Sequence, residues 1–259
     1  AGHELPREAL SITAVNVNFR YRTGPLVLRD VSLQIPAGTN VAVVGETGSG
    51  KTTFAKLLCR LADPISGHIE LGGVRLDQVS PESRLGSVRM VPQDGFLFNT
   101  TLRENLRLGR LGASDADIGA AVSTLALDRW VAGLPDGLDT EVGARGGYLS
   151  VGERQLVALI RAALANPGLL ILDEATSSVD PETDRALTDT IARLSSGRTV
   201  VSIAHRLATA EAADLIVVFD KGEIVEVGRH HELVDAGGIY GRLHQAWVGN
   251  TRREAGSEG

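Results

Sequence analysis

From Val15 onward apolar and polar residues alternate. Val15, Val17, Phe19 and Tyr21 fall on one face, and Asn16, Asn18 and Arg20 on the other. That period of two predicts a half-buried strand. LRDVSLQIPAG reads as a second strand closing in a turn at residues 36–38. NVAVVG is a short apolar strand, followed by a Gly-rich loop and the helix TTFAKLLCRL, and HIELGGVRL reads as a hairpin about Gly72 and Gly73. Residues near 114–132 and again 150–165 carry helical spacing. LLILDEA is a continuous apolar run of strand length, the mark of a parallel strand buried on both faces, and TVVSIAH and DLIVVFD repeat it. Helices alternate with these strands, so the core is predicted to be an α/β parallel sheet. Residues 1–10, AGHELPREAL, have no period and read as a linker or expression remnant; the polar end TRREAGSEG reads as a disordered tail.

Composition narrows the class. The chain has 259 residues and a formal net charge of −6, which fits one large domain or two small ones with ample core. Apolar runs such as LIVVF are strand-sized, far short of the roughly 20 residues a membrane-crossing helix needs. No basic segment followed by an apolar stretch opens the chain, so no signal peptide is expected. The single Cys59 forms no internal disulfide and suits a reducing cytosol. Net acidity without a Lys/Arg block argues against nucleic acid as the main partner.

Two stretches read as phosphate sites. GETGSGKT at 45–52 fits Gly-x4-Gly-Lys-Thr between a strand and a helix. Its glycines permit a tight backbone whose N–H groups point at phosphate oxygens, Lys51 reaches the β- and γ-phosphates, and the Thr52 hydroxyl suits Mg2+. LSVGERQ at 149–155 reads as a helix start. Ser150 and Glu153 form an S-x-x-E capping box before the apolar run LVALI, and a free helix N-terminus attracts phosphate. LLILDEAT supplies carboxylates. Asp173 ends an apolar strand, where α/β sheets place ligand groups, and suits Mg2+ directly or through water. Glu174, next and outside the ladder, is placed to activate a water. A plain surface pair is the competing reading, but two adjacent acids after a buried strand are costly unless they serve a cation or a reaction.

In this order the residues resemble the nucleotide-binding domains of ATP-binding-cassette (ABC) proteins. LSVGERQ looks like their signature, usually LSGGQ. The sequence phosphate loop, Gln-bearing loop, signature, acid pair, SSVD and SIAH matches over residues 12–245. The resemblance implies a P-loop NTPase (RecA-like) core with an antiparallel β subdomain over 11–93 and 160–246. It also implies an α-helical signature subdomain over 94–159 and a flexible tail over 247–259. It implies ATP and Mg2+ as cofactors and head-to-tail pairing with a second such domain, identical or not. The phosphate loop of one chain and the signature helix of the other would then clamp one ATP.

The resemblance also assigns residues. Gly45, Glu46, Thr47, Gly48, Ser49, Gly50, Lys51, Thr52 and Thr53 would hold the phosphates, and Tyr21 would stack on adenine. Ser150 and Gly152 would address the partner's γ-phosphate, and Asp180 would line the subunit interface. Glu174, His205, Lys51 and Gln93 form the implied catalytic set; Thr52, Gln93 and Asp173 form the implied metal set. Without the resemblance, Tyr21 also reads as a strand-edge core tyrosine, Gln93 as a loop glutamine, Asp180 as the N-cap of a helix from Pro181, and His205 as a structural histidine. Val151 replaces the first signature Gly, and Glu153 replaces its Gln. A carboxylate there is unfavourable beside phosphate unless the capping geometry turns it to the backbone. His230 and His231 lie in GRHHELVDAGGIY, which resembles the family's C-terminal segment and lacks the spacing of a zinc site.

Within the family, the gap between phosphate loop and signature is too short for the coiled coil of DNA-repair relatives. Translation-factor relatives carry two such domains, and this chain carries one. DTEVGARGGYLS resembles the exporter segment TxVGxRG that contacts the membrane domain, with Ala144 where Glu is usual; PQDGFLFNTTLRENL also looks exporter-like. The resemblance thus implies the ATPase motor of an ABC exporter at the cytoplasmic face of the cell membrane. Its transmembrane domains would lie outside this chain, which reads as a soluble C-terminal piece. The alternatives are a nucleotide-binding regulatory half of a heterodimeric exporter and a freestanding importer subunit. Glu174 and His205 favour the enzyme, and the exporter segments disfavour the importer.

Overall fold

The computed structural model describes residues 2–174 and 180–255. In chain order it runs through β1 (Ile12–Phe19), β2 (Leu28–Ile35), β3 (Asn40–Val44), α1 (Lys51–Leu58), β4 (Ser66–Leu71), β5 (Val74–Arg75), α2 (Pro81–Ser87) and β6 (Val88–Val91). A helical stretch follows: α3 (Leu102–Arg107), α4 (Asp115–Thr124), α5 (Asp128–Ala132) and α6 (Val151–Ala165). The chain then alternates through β7 (Leu169–Asp173), α7 (Pro181–Ser195), β8 (Thr199–Ile203), α8 (Leu207–Glu211), β9 (Leu215–Asp220) and β10 (Glu223–Gly228), and closes with α9 (His230–Asp235) and α10 (Ile239–Ala255).

The strands form two sheets, β2-β1-β4-β5 and β10-β9-β3-β8-β7-β6. The first is antiparallel throughout. The second is parallel except for β10. Alternation along its apolar strands divides the core. Val41, Val43, Leu169, Ile171, Val217 and Phe219 face the antiparallel sheet and α1. Leu170, Leu172 and Val200 face the helical layer with α3, α4 and α6. Ala42, Val44, Ile216 and Val218 face the C-terminal helices with Tyr240. This is why the strands read as unbroken apolar runs: both faces are covered.

Several expectations need correction. The alternation from Val15 breaks at a bulge, where Asn16 takes φ +46°. Ile12 and Ala14 are buried before it and Val17 and Phe19 after it, while Val15 is only half-buried. The extra residue shifts the inward phase by one, and Asn tolerates the left-handed conformation it needs. Residues 1–10 are no free linker. Leu5 and Leu10 are buried in the core, and the backbone of His3 exchanges hydrogen bonds with Gln78 and Ser80. Two apolar residues in an aperiodic stretch give no pattern to read. The helical spacing at 114–132 divides into α4 and α5, because Ala126 turns left-handed (φ +57°). α10 continues to Ala255, inside the stretch read as a tail, with Trp247 packed against the core. α6 runs unbroken across residues 159 and 160, so the two expected units share that helix.

Candidate active site

Four neighbouring parallel strands, β3, β8, β7 and β6, end at one edge of the large sheet. After β3 comes the phosphate loop, after β8 His205, at the end of β7 Asp173 with Glu174, and after β6 Gln93. Parallel pairing therefore collects residues scattered from 45 to 205 along the C-terminal edge, where α/β sheets bind ligands.

Two glycines of the loop are dictated by contact. A Cβ on Gly45 (φ +149°) would stand 2.3 Å from the Phe219 carbonyl oxygen, and one on Gly50 (φ +107°) 2.7 Å from a Leu28 methyl. Gly50 starts α1 without any side-chain cap, so the first-turn N–H groups are open to an anion. Lys51 is 5% exposed, and its Nζ donates to the carbonyls of Gly45 at 2.6 Å and Glu46 at 2.8 Å. Ser49 is buried; Glu46, Thr47, Gly48 and Thr52 are exposed. The N–H of Gly222 donates to the Ser49 carbonyl at 2.9 Å, tying the loop to the β9–β10 turn.

Burial lowers the Lys51 pKa, opposed by the charges of Asp173 and Glu46. Burial likewise raises Asp173, opposed by His205, Lys51 and Lys56. Among the described residues no ion pair within 4 Å joins Lys51 to Asp173. A desolvated cation held only by neutral oxygens, facing a desolvated carboxylate at longer range, fits a site for a phosphate and its divalent cation.

Glu174 departs from the expected placement. Its N–H still donates to the Ile203 carbonyl at 3.3 Å, continuing the ladder it was expected to leave. Its carboxylate accepts the backbone N–H groups of His205 and Arg206 and the Thr209 hydroxyl, so it caps the start of α8. Sequence reasoning missed Thr209 and the Arg206–Asp184 ion pair beside it, since neither lies in a motif.

The remaining residues fall as follows. Tyr21 is 47% exposed; its ring packs edge-on against Phe19 at 4.9 Å and its hydroxyl lies 3.1 Å from Thr53 Oγ1. It is therefore not a core tyrosine, and it presents an open face beside α1. Gln93 is half-buried, its carbonyl accepting from Gln155 of α6 at 3.3 Å. The loop beyond it is fixed by buried Asn105, which bonds the Phe98 backbone at 2.9 and 3.0 Å, and by Arg161, which donates to the Phe96 carbonyl at 2.7 Å. Asp180 is exposed and caps α7 by accepting from the Thr183 N–H at 2.9 Å; hydrogen bonding from Thr183 holds its pKa down. The SSV of SSVD lies outside the described residues.

The signature forms the capping box read from the sequence. Ser150 N–H donates to Glu153 Oε2 at 2.8 Å, and Glu153 N–H to Ser150 Oγ at 3.2 Å. The Trp130 indole donates to the other Glu153 oxygen at 3.2 Å, so the unusual carboxylate is turned inward. Ser150 is exposed and Gly152 buried. No hydrogen bond among the described residues links Ser150 to the phosphate loop; α6 packs on α3, α4, α7 and β6 instead.

Comparison with known proteins points to one family. The ABC transporter family model matches residues 28–177. The ABC transporter ATP-binding protein YwjA of Bacillus subtilis (strain 168) is 47% identical over 90% of this chain and 41% of its own length. ATP-binding cassette sub-family B member 6 of Xenopus tropicalis is 40% identical over 94% of this chain and 28% of its own. The structure of a bacterial Atm1-family ABC exporter with ATP bound superposes with a TM-score of 0.88 at 40% identity, over 95% of this chain and 44% of that one. The chain thus spans less than half the length of these relatives. Among the described residues no helix is long and apolar enough to cross a membrane. The chain belongs to the ABC transporter family and corresponds to the ATP-binding part of its relatives.

Proposed function

We propose that this chain hydrolyses Mg-ATP as half of a head-to-tail pair, and that closure and reopening of the pair drive export through transmembrane domains. The observation that carries the reading is the convergence of the phosphate loop, Gln93, Asp173–Glu174 and His205 on one sheet edge. Lys51 and the loop N–H groups bind the β- and γ-phosphates, and Tyr21 supports the base. Thr52, Asp173 and Gln93 hold Mg2+, which when bound neutralises charge on the phosphates. Glu174 polarises the attacking water, and His205 holds the γ-phosphate. Each site takes Ser150 and Gly152 from the second chain, because the exposed start of α6 belongs to a different layer from the phosphate loop.

The loop fixed by Asn105 and Arg161 exposes Phe96 and Phe98, each 55% accessible, beside a cleft of about 330 Å³ that also includes Leu108. Exposed aromatic side chains on a braced loop suit the docking of a transmembrane domain. On this reading the chain works at the cytoplasmic face of a membrane. Phosphate release from Mg-ATP, measured over a hundredfold range of chain concentration, tests the reading; turnover per chain is expected to rise as chains pair. ATP binding without hydrolysis at any concentration would favour the regulatory half of a heterodimer instead.

A further inference from the structure

Three helices bring Glu211, His230 and His244 together on the face of the sheet covered by the C-terminal segment. Glu211 ends α8, His230 opens α9, and His244 lies on α10. One ligand atom from each lies within 4.8 Å of the other two. The Nε2 atoms of both imidazoles stand 3.9 Å from the same carboxylate oxygen, Glu211 Oε1. The rings are 5.3 Å apart, inclined at 57°. They converge on the carboxylate and do not stack.

The spacing suits a small cation. Zinc bonds of about 2.0–2.2 Å in a tetrahedral site put ligand atoms about 3.3 Å apart. Each Nε2–Oε1 separation must then close by about 0.6 Å, and the separation between the two imidazole ligand atoms, which is within 4.8 Å, by at most about 1.5 Å. The Glu211 side chain is 47% exposed and supplies the first movement, and a turn of the partly exposed imidazoles of His230 and His244, at 26% and 20% exposure, supplies the second. The second nitrogen of His230 is already engaged: Nδ1 lies 2.6 Å from the hydroxyl of fully buried Tyr240. When Nδ1–H donates to that oxygen, Nε2 carries its lone pair toward Glu211. This is how a metal-ligating histidine is oriented by an outer partner. Two imidazoles and one carboxylate select zinc-like ions over magnesium or calcium, which prefer all-oxygen shells.

We propose that Glu211, His230 and His244 form a site for a divalent transition metal of the zinc type, with at least one position left to water. The metal clips α9 and α10 to α8. It therefore acts two residues from Thr209, whose hydroxyl bonds Glu174. His231, beside His230 but exposed and outside the cluster, is no ligand.

Titration of the full chain with Co2+, in excess Mg2+ to fill oxygen sites and without nucleotide, tests this. One equivalent is expected to bind with the visible absorption of a low-coordinate cobalt site and to be displaced by Zn2+. Zn2+ is also expected to raise the melting temperature. His244→Ala and Glu211→Ala are each expected to weaken Co2+ binding at least about tenfold, and Tyr240→Phe about 10–100-fold. His231→Ala is expected to bind as wild type. Melting curves without metal show whether each variant is folded; Glu211→Ala, at an exposed helix end, keeps the test open if His244→Ala is not. The proposal is overturned by absence of saturable Co2+ binding, by full affinity in folded Glu211→Ala, or by equal loss in His231→Ala.

Discussion

The backbone N–H of His205 donates to Glu174 Oε2 at 2.6 Å, and the next N–H, that of Arg206, reaches the same oxygen at 3.0 Å. The Thr209 hydroxyl takes the other oxygen. The acid that follows Asp173 is thus engaged on both oxygens at the start of α8. Oε2 already accepts two donors and Oε1 one, so a water drawn to this carboxylate has the second acceptor position of Oε1 open to it. Residues 205–209 are therefore tied to Glu174 by hydrogen bonds remote in sequence.

Replacing Glu174 by Gln separates binding from chemistry. The amide keeps one accepting oxygen for the N–H groups of His205 and Arg206 but loses the basic carboxylate. Glu174→Gln is expected to bind ATP within a few-fold of wild type and to hydrolyse it at least about a hundredfold more slowly, the usual scale for loss of a general base. Unhydrolysed ATP is also expected to hold two chains together, visible as a doubled mass in light scattering with Mg-ATP. Turnover at the wild-type rate would remove Glu174 from the mechanism.

Tyr21 offers a cleaner test of nucleotide recognition, because its ring is half open while its hydroxyl is tied to Thr53. If the open face stacks on adenine, Tyr21→Ala weakens ATP binding by about 1–3 kcal/mol, and Tyr21→Trp largely restores it. Titration calorimetry on both variants decides the matter. Equal damage from Trp and Ala would mean that the Phe19 and Thr53 contacts, and not stacking, are what Tyr21 supplies.

Four strands of the large sheet, β3, β7, β8 and β9, were legible because burial on both faces keeps them almost wholly apolar, whereas the two edge strands, β6 (VRMV) and β10 (EIVEVG), carry charged residues and gave no such run. The capping box was legible because its two partners are three residues apart. What escaped depends on contacts remote in sequence. Leu5 and Leu10 seat in the core from a stretch without period, and the bulge at Asn16 is stabilised by pairing across two neighbouring strands. The Glu174 carboxylate meets donors more than thirty residues away. His230 was read beside His231, its neighbour in sequence, whereas in space its neighbours are His244 and Glu211.

Cys59 sits at the end of α1 and is buried, and burial pushes its thiol up to about 11, with Arg84 opposing the shift. A raised pKa keeps the thiol protonated below that value, and only the thiolate attacks. At pH 8 the reactive fraction is on the order of one in a thousand. A chromogenic disulfide reagent is expected to label the folded chain at least about a hundredfold more slowly than the denatured one, faster by about tenfold per pH unit toward pH 10. Fast labelling of the folded chain at pH 8 would mean that the α1 region opens readily.

The two stretches proposed to hold phosphate make the strongest test of pairing. Lys51→Ala spoils the phosphate loop and leaves the signature intact; Ser150→Arg blocks the signature and leaves the loop intact. Alone, each variant forms only pairs in which every composite site lacks one half. Losing a charged contact at the reacting phosphate costs about 3 kcal/mol, more than a hundredfold in rate. Mixing the two permits a heterodimer. One of its sites is doubly broken. The other joins the sound loop of the Ser150→Arg chain to the sound signature of the Lys51→Ala chain. ATPase activity is therefore expected to return on mixing, to at most about a quarter of the wild-type level, since half of randomly formed pairs are mixed and each holds one working site of two. Recovery must also grow with total protein, since pairing is second order. If mixing gives no activity while wild-type turnover per chain stays constant on dilution, each chain hydrolyses ATP alone, and the N-terminus of α6 at Ser150 is a helix cap without a nucleotide.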